Sequence, residues 1–182
     1  MSLTVSPRPG VGNRAVAFTA DGIAVVQALS SRKLAFQILS TAKRLGFEKA
    51  VQEVMLSDPK AGYRQALAVS IDGDWGAFTG FGTAPEKGHV KRGNLFCAGN
   101  GLKRGTLKAL CSVQEEDPLK AVFLAALEAE SKGGNLWPST SASLVILGKS
   151  VVKYDIYSSD DPVFDMMVKA RKVIASPPSP LY

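Results

Sequence analysis

The residues best suited to chemistry in this chain are gathered in one stretch. Gly80 to Asn100 reads GFGTAPEKGHVKRGNLFCAGN and holds the only histidine, His89. It is too long for a tight hairpin turn, and long Gly-rich loops in compact domains often carry function. The cations Lys87, Lys91 and Arg92 flank His89 and favour a neutral imidazole, which suits a general base or a hydrogen-bond donor. The competing reading is a surface-loop histidine that orders the backbone. Gly99-Asn100-Gly101 precedes a helical pattern, so its backbone N–H groups can meet an anion at a helix N-terminus, or it is a turn followed by an N-cap. Ser139, Thr140, Ser141 and Ser143 offer hydroxyl nucleophiles, or a turn before a strand.

Other chemistries lack their residues. No Gly-Lys-Ser/Thr follows the glycines at P-loop spacing, and no G-x-G-x-x-G follows a strand. With one histidine and no G-x-S-x-G, a Ser-His-Asp hydrolase has little support. No Cys or His cluster has ligand spacing, so neither a metal nor another cofactor is expected. The two cysteines, Cys97 and Cys111, are expected to be free, buried thiols rather than a disulfide.

Three hairpins and several helices must position these residues. Ala15–Thr19 pairs with Gly22–Gln27 across Ala20-Asp21-Gly22, and Arg64–Ile71 pairs with Trp75–Thr79 across Asp72-Gly73-Asp74. Ala142–Leu147 pairs with Val151–Tyr157 across Gly148-Lys149. Each joins β-branched or aromatic runs through Gly or Asp, which tolerate positive φ. Helices fit 33–45, where Leu34, Ile38, Ala42 and Leu45 form one stripe before Gly46, then 48–55 and 105–114. Two more open on Asp-Pro, at Asp117-Pro118 and Asp161-Pro162, with Asp as N-cap and Pro at N1. The order of hairpins and helices predicts an α+β domain with antiparallel sheet. One domain over residues 1–175 is expected, followed by a flexible Pro-rich tail, 176–182.

Composition agrees. The chain has 182 residues, of which 46% are hydrophobic and 21% charged, enough to bury a core. No apolar run approaches the roughly 20 residues of a bilayer span. Met1 to Gly12 lacks the apolar region of a signal peptide, so a cytoplasmic protein is expected. The net charge of +6 is spread along the chain without an RNA-binding aromatic signature. A solvated basic face is preferred to a nucleic-acid surface.

A longer-range pattern adds a family. Thr79-Gly80, Gly88-His89, Gly99-Asn100 with Leu102, Pro118-Leu119 with Ala125-Ala126-Leu127-Glu128-Ala129, Gly133-Gly134, Ser141-Ala142 and Asp161-Pro162-Val163 follow one another in a set order. Upstream, Ala24 to Leu29 and Arg64-Gln65 join the set. This resembles the uncharacterised family called domain of unknown function 1028, placed in the N-terminal-nucleophile (Ntn) hydrolase superfamily. The resemblance implies a four-layer αββα sandwich, two antiparallel sheets face to face with helices on both outer faces. It also implies an amide-cleaving enzyme whose nucleophile is an N-terminal Thr, Ser or Cys, with its own α-amine as base near pH 8.

Under that resemblance Gln27, Arg64, His89, Arg92 and Asn100 line the pocket. His89 polarises the substrate, Asn100 is an oxyanion donor and the two arginines hold a carboxylate. The substrate is then a small amide or a carboxylate-bearing molecule. Two departures stand out. Leu3-Thr4-Val5-Ser6 matches the family's second strand, so no nucleophile is carried over from the first. Asn135-Leu136-Trp137-Pro138 stands where the family has an acid and arginines. The alternative is a non-catalytic ligand-binding or interaction domain on the same scaffold. An open sheet edge predicts a homodimer or higher homo-oligomer.

Overall fold

The computed structural model describes residues 1–148 and 151–174. The chain is a mixed α+β fold with antiparallel sheets. In order it forms β1 (Ser2–Ser6), α1 (Val11–Arg14), β2 (Val16–Phe18), β3 (Gly22–Ala28), α2 (Arg32–Leu45) and α3 (Phe47–Leu56). After a 3₁₀ turn at Ala61–Tyr63 come β4 (Arg64–Ser70), β5 (Trp75–Thr79), β6 (Gly88–Arg92) and β7 (Leu95–Gly99). Then follow α4 (Thr106–Leu110), α5 (Pro118–Ser131), β8 (Ser141–Leu147), β9 (Val151–Ile156) and α6 (Pro162–Ile174). The Pro-rich tail and the Lys149 turn lie outside the described residues.

Four strands make one sheet in the order β2-β3-β4-β5. Alternation divides its faces. Ala24, Val26, Ala66 and Ala68 point to one side and pack against Ile38, Val51 and Met55 of α2 and α3. Ile38 is fully buried, and burying such a side chain stabilises by roughly 1.5–3 kcal/mol. The small alanines let the helices approach the sheet closely. Ser31 caps α2 by accepting from Leu34 N at 3.2 Å.

Three strands make the second sheet, β1-β8-β9. Ala142 and Leu144 of β8 pack against Phe123 of α5 and Val163 and Met166 of α6. The Asp-Pro openings behave as their chemistry dictates: Asp117 Oδ1 accepts from Leu119 N at 2.8 Å, and Asp161 Oδ1 from Phe164 N at 3.0 Å. A third apolar cluster joins Val16, Ile23 and Val25 of the first sheet to Val145 of the second.

Three features depart from the sequence expectation. Residues 80–100 are not one long loop. Their second half is a hairpin, β6 paired with β7 from Gly88↔Gly99 to Arg92↔Leu95. Gly93 turns it with φ +56, a left-handed conformation suited to glycine. His89 to Arg92 are all exposed, so β6 has no apolar alternation to announce it. The helix expected at 105–114 shortens to α4, because Cys111 at φ −108, ψ 18 has left the helical region. The four-residue α1 is additional.

Candidate functional site

The site grows from one buried amide. In register on the inner face of the four-stranded sheet stand Gln27 of β3, Gln65 of β4 and Thr79 of β5. Gln65 has no solvent exposure. Its Oε1 accepts from Gln27 Nε2 at 2.6 Å and from Asn100 Nδ2 at 3.0 Å. Its Nε2 lies 2.8 Å from Gly99 O, 2.9 Å from Gly88 O and 3.0 Å from Thr79 Oγ1. Gly88 and Gly99 face each other at the base of the β6–β7 hairpin, so this side chain pins the hairpin to the sheet.

An amide nitrogen has two hydrogens, and two carbonyls that can only accept take both. The Thr79 hydroxyl also hydrogen-bonds His89 Nδ1, 3.0 Å away. The His89 ring also meets Trp75 edge-on, with centroids 6.4 Å apart.

A cleft of about 1800 Å³ opens beside this network. Gln27, Asn100 and Arg92 are on its wall. Gln27 and Asn100 each spend one N–H on Gln65, which leaves each a second N–H and a carbonyl oxygen for a ligand. The residue after Gln27, Ala28, holds φ +64. A non-glycine in that region stores about 1–3 kcal/mol of strain, and such residues cluster at functional sites.

His89 and Arg64 lie elsewhere. His89 sits on the outward strand of the hairpin and reaches the cleft residues only through Thr79 and Gln65. The Arg64 guanidinium is buried and donates to the Asp58 carboxylate and to Leu29 O. It holds the turn that follows Ala28 and is not available to a ligand carboxylate. Arg92 is four residues up β6 from Gly88, about 13 Å at strand rise, so the two arginines do not form a clamp.

Thr140 Oγ1 and Ser143 Oγ are buried without a hydrogen-bond partner, and the remaining candidates are occupied by structure. The N–H groups opening α4 go to the Glu86 carboxylate, with Gly105 N at 2.9 Å and Leu107 N at 3.3 Å. Ser141 Oγ donates to Arg8 O at 2.6 Å and accepts from Val11 N at 3.2 Å. Ser139 Oγ accepts from Asn135 at 2.7 Å. Cys97 and Cys111 are free and buried. Burial, and then the neighbouring Cys111, pushes the Cys97 thiol far up, so it is a poor nucleophile.

Sequence reasoning missed Gln65 as the centre, along with Thr79, Arg8 and Arg14. Arg14 closes one end of the cleft, donating to Pro9 O at 2.9 Å, Arg8 O at 3.0 Å and Ser30 Oγ at 3.1 Å. Burial first, and the charge of Arg8 second, hold its guanidinium below the usual range, with Tyr157 acting the other way. The available signal was a glutamine at the head of the apolar run Ala66 to Val69, at an inward position. Among the described residues, no helix is long and apolar enough to cross a membrane.

The model of a family of unknown function, DUF1028, matches residues 3–172. No curated protein matches the chain. Among solved structures, the crystal structure of protein SPO2555 from Silicibacter pomeroyi, which carries the same family model, is similar with a TM-score of 0.84. It is 23% identical, over 94% of this chain and 78% of that one.

Proposed function

The chain belongs to the DUF1028 family of unknown function, and from that premise we propose that its cleft binds a small molecule bearing an amide or a carboxylate. One observation carries this: Gln27 and Asn100, both anchored on Gln65, each retain a donor and an acceptor at the cleft wall. A pair of carboxamides held this way complements a carboxamide or carboxylate ligand, and its orientation is prepared before binding.

The scaffold in this proposal is the αββα sandwich of the Ntn hydrolases. The helix clusters on the outer side of each sheet, and the apolar cluster that joins the two sheets, support it. The proposal keeps residues 1–175 as one domain, in a cytoplasmic homo-oligomer without nucleic-acid partners. On this scaffold amide hydrolysis is the natural reaction. The second N–H of Asn100 favours it, as a donor for an oxyanion. His89 acts through Thr79 and Gln65 as a positioning residue. Binding without turnover is the second reading, favoured because Thr79, the hydroxyl tied to His89, is off the cleft wall.

Calorimetric titration with N-acetyl amino-acid amides and the corresponding free acids tests the binding. Saturable binding that drops about tenfold or more in Asn100→Ala is expected, a loss of about 1.4 kcal/mol. Binding unaffected by Asn100→Ala and Gln27→Ala removes the proposal. Release of ammonia from the bound amides separates turnover from binding alone.

A further inference from the structure

The cleft is larger than a small ligand needs. Small-molecule sites are commonly about 300–1,000 Å³, against the 1800 Å³ here. One wall is a strand edge. β1 is the terminal strand of its sheet, paired only with β8 among the described residues, and all five of its residues line the cleft. A strand edge carries a row of unpaired N–H and C=O groups, a template for another extended chain. Five residues of strand span about 16 Å.

The remaining walls fit a strand's side chains. Val25 and Leu67 contribute from the four-stranded sheet, and Ala121 and Ala125 from α5. Apolar recesses on two sides suit the alternate side chains of an extended peptide.

Charges of both signs line the cleft. Arg8 and Arg14 line the end next to Ser6, and neither has an acidic partner among the described residues. Arg14 Nη2 lies 3.4 Å from Ser6 Oγ. Glu115 and Glu116 also line the cleft. They follow Cys111, whose thiol lies 3.7 Å from Leu95 O beside the hairpin turn. These two carboxylates also form no ion pair among the described residues.

We propose that the cleft accepts an extended polypeptide, added as a strand to the free edge of β1, with its acidic end at Arg8 and Arg14 and its basic end at Glu115 and Glu116. This rests on the reading that the cleft is the ligand site, and it names the ligand class. The terminal carboxylate and peptide amides of such a chain are the groups that Gln27 and Asn100 are placed to meet.

The probe is the hexapeptide acetyl-Lys-Thr-Val-Ala-Val-Ala with a free C-terminal carboxylate, titrated into the full chain. Two versions are N-methylated at alternate residues, one on odd and one on even positions. Strand addition uses every second N–H, so one version is expected to lose about tenfold or more in affinity and the other little. Arg8→Glu is expected to weaken the probe, and an Arg8→Glu chain to prefer a probe ending in a C-terminal amide with lysine. Equal affinity of all three peptides overturns strand addition. Failure of the hexapeptide while N-acetyl amino-acid amides still bind overturns the peptide class and leaves the amide site standing. Failure of both removes both.

Discussion

Each sheet carries a polar row on its inner face, and the two rows are built in opposite ways. In the four-stranded sheet the row is Gln27–Gln65–Thr79, and the partners of Gln65 account for both atoms of its amide. In the three-stranded sheet the row is Thr4–Ser143–Asp155. There Ser143 Oγ and Asp155 Oδ1 are buried without a hydrogen-bond partner. Asp155 keeps one strong bond, from Lys153 Nζ at 2.6 Å. What closes over this row is Gly12 of α1. A Cβ there would lie 1.9 Å from Asp155 Oδ1 and 2.7 Å from Ser143 Oγ.

The difference separates positioning from packing. A satisfied network in a low-dielectric interior fixes a unique geometry, because every alternative breaks bonds that water cannot replace. That suits the wall of a binding site. The second row is a tight seat for a short helix, and its unpaired oxygens are a standing cost to stability.

Three substitutions test the contrast. The largest effect is expected from Gln65→Leu. It strips partners from Gly88 O, Gly99 O, Gln27 and Asn100, at about 1–3 kcal/mol for each buried group left unpaired. A loss of about 3 kcal/mol or more in urea unfolding, together with loss of ligand binding, is expected. A loss below about 1 kcal/mol would make the network an ornament of the fold. Gly12→Ala comes next. Its methyl displaces Asp155 from Lys153 or lifts α1, and overpacking of this kind costs about 1–3 kcal/mol. Stability is expected to fall while binding at Gln27 and Asn100 survives, so loss of binding would join the two rows into one unit. Ser143→Ala is the smallest. Removing a hydroxyl that has no partner is expected to leave the melting temperature unchanged or raise it slightly. A clear destabilisation would mean that Ser143 does have a partner in solution.

Most of the local architecture could be read from the chain. The Asp-Gly turns at Asp21 and Asp72 mark two hairpins, the alternation through Val152, Tyr154 and Ile156 marks β9, and both Asp-Pro helix starts hold. What escaped is long-range or exposed. β3 and β4 pair across two intervening helices, so the register that sets Gln27 against Gln65 has no local signature. β1 pairs with β8 from the far end of the chain. The β6 strand is charged and solvated, and glycines at both of its ends read as a loop. Gln27 and Asn100 could be picked out because they belong to an ordered family pattern. Gln65 was in that pattern too, but its central place appears only when three strands and a hairpin converge on it.

Because the amide that ties the base of the β6–β7 hairpin to the sheet also orients the two carboxamides at the cleft, attachment of the hairpin and competence of the site are coupled. A ligand that engages Gln27 and Asn100 deepens the closed state by mass action, in proportion to the logarithm of its concentration over its dissociation constant. Slowed hydrogen exchange at the hairpin amides is therefore a report of occupancy.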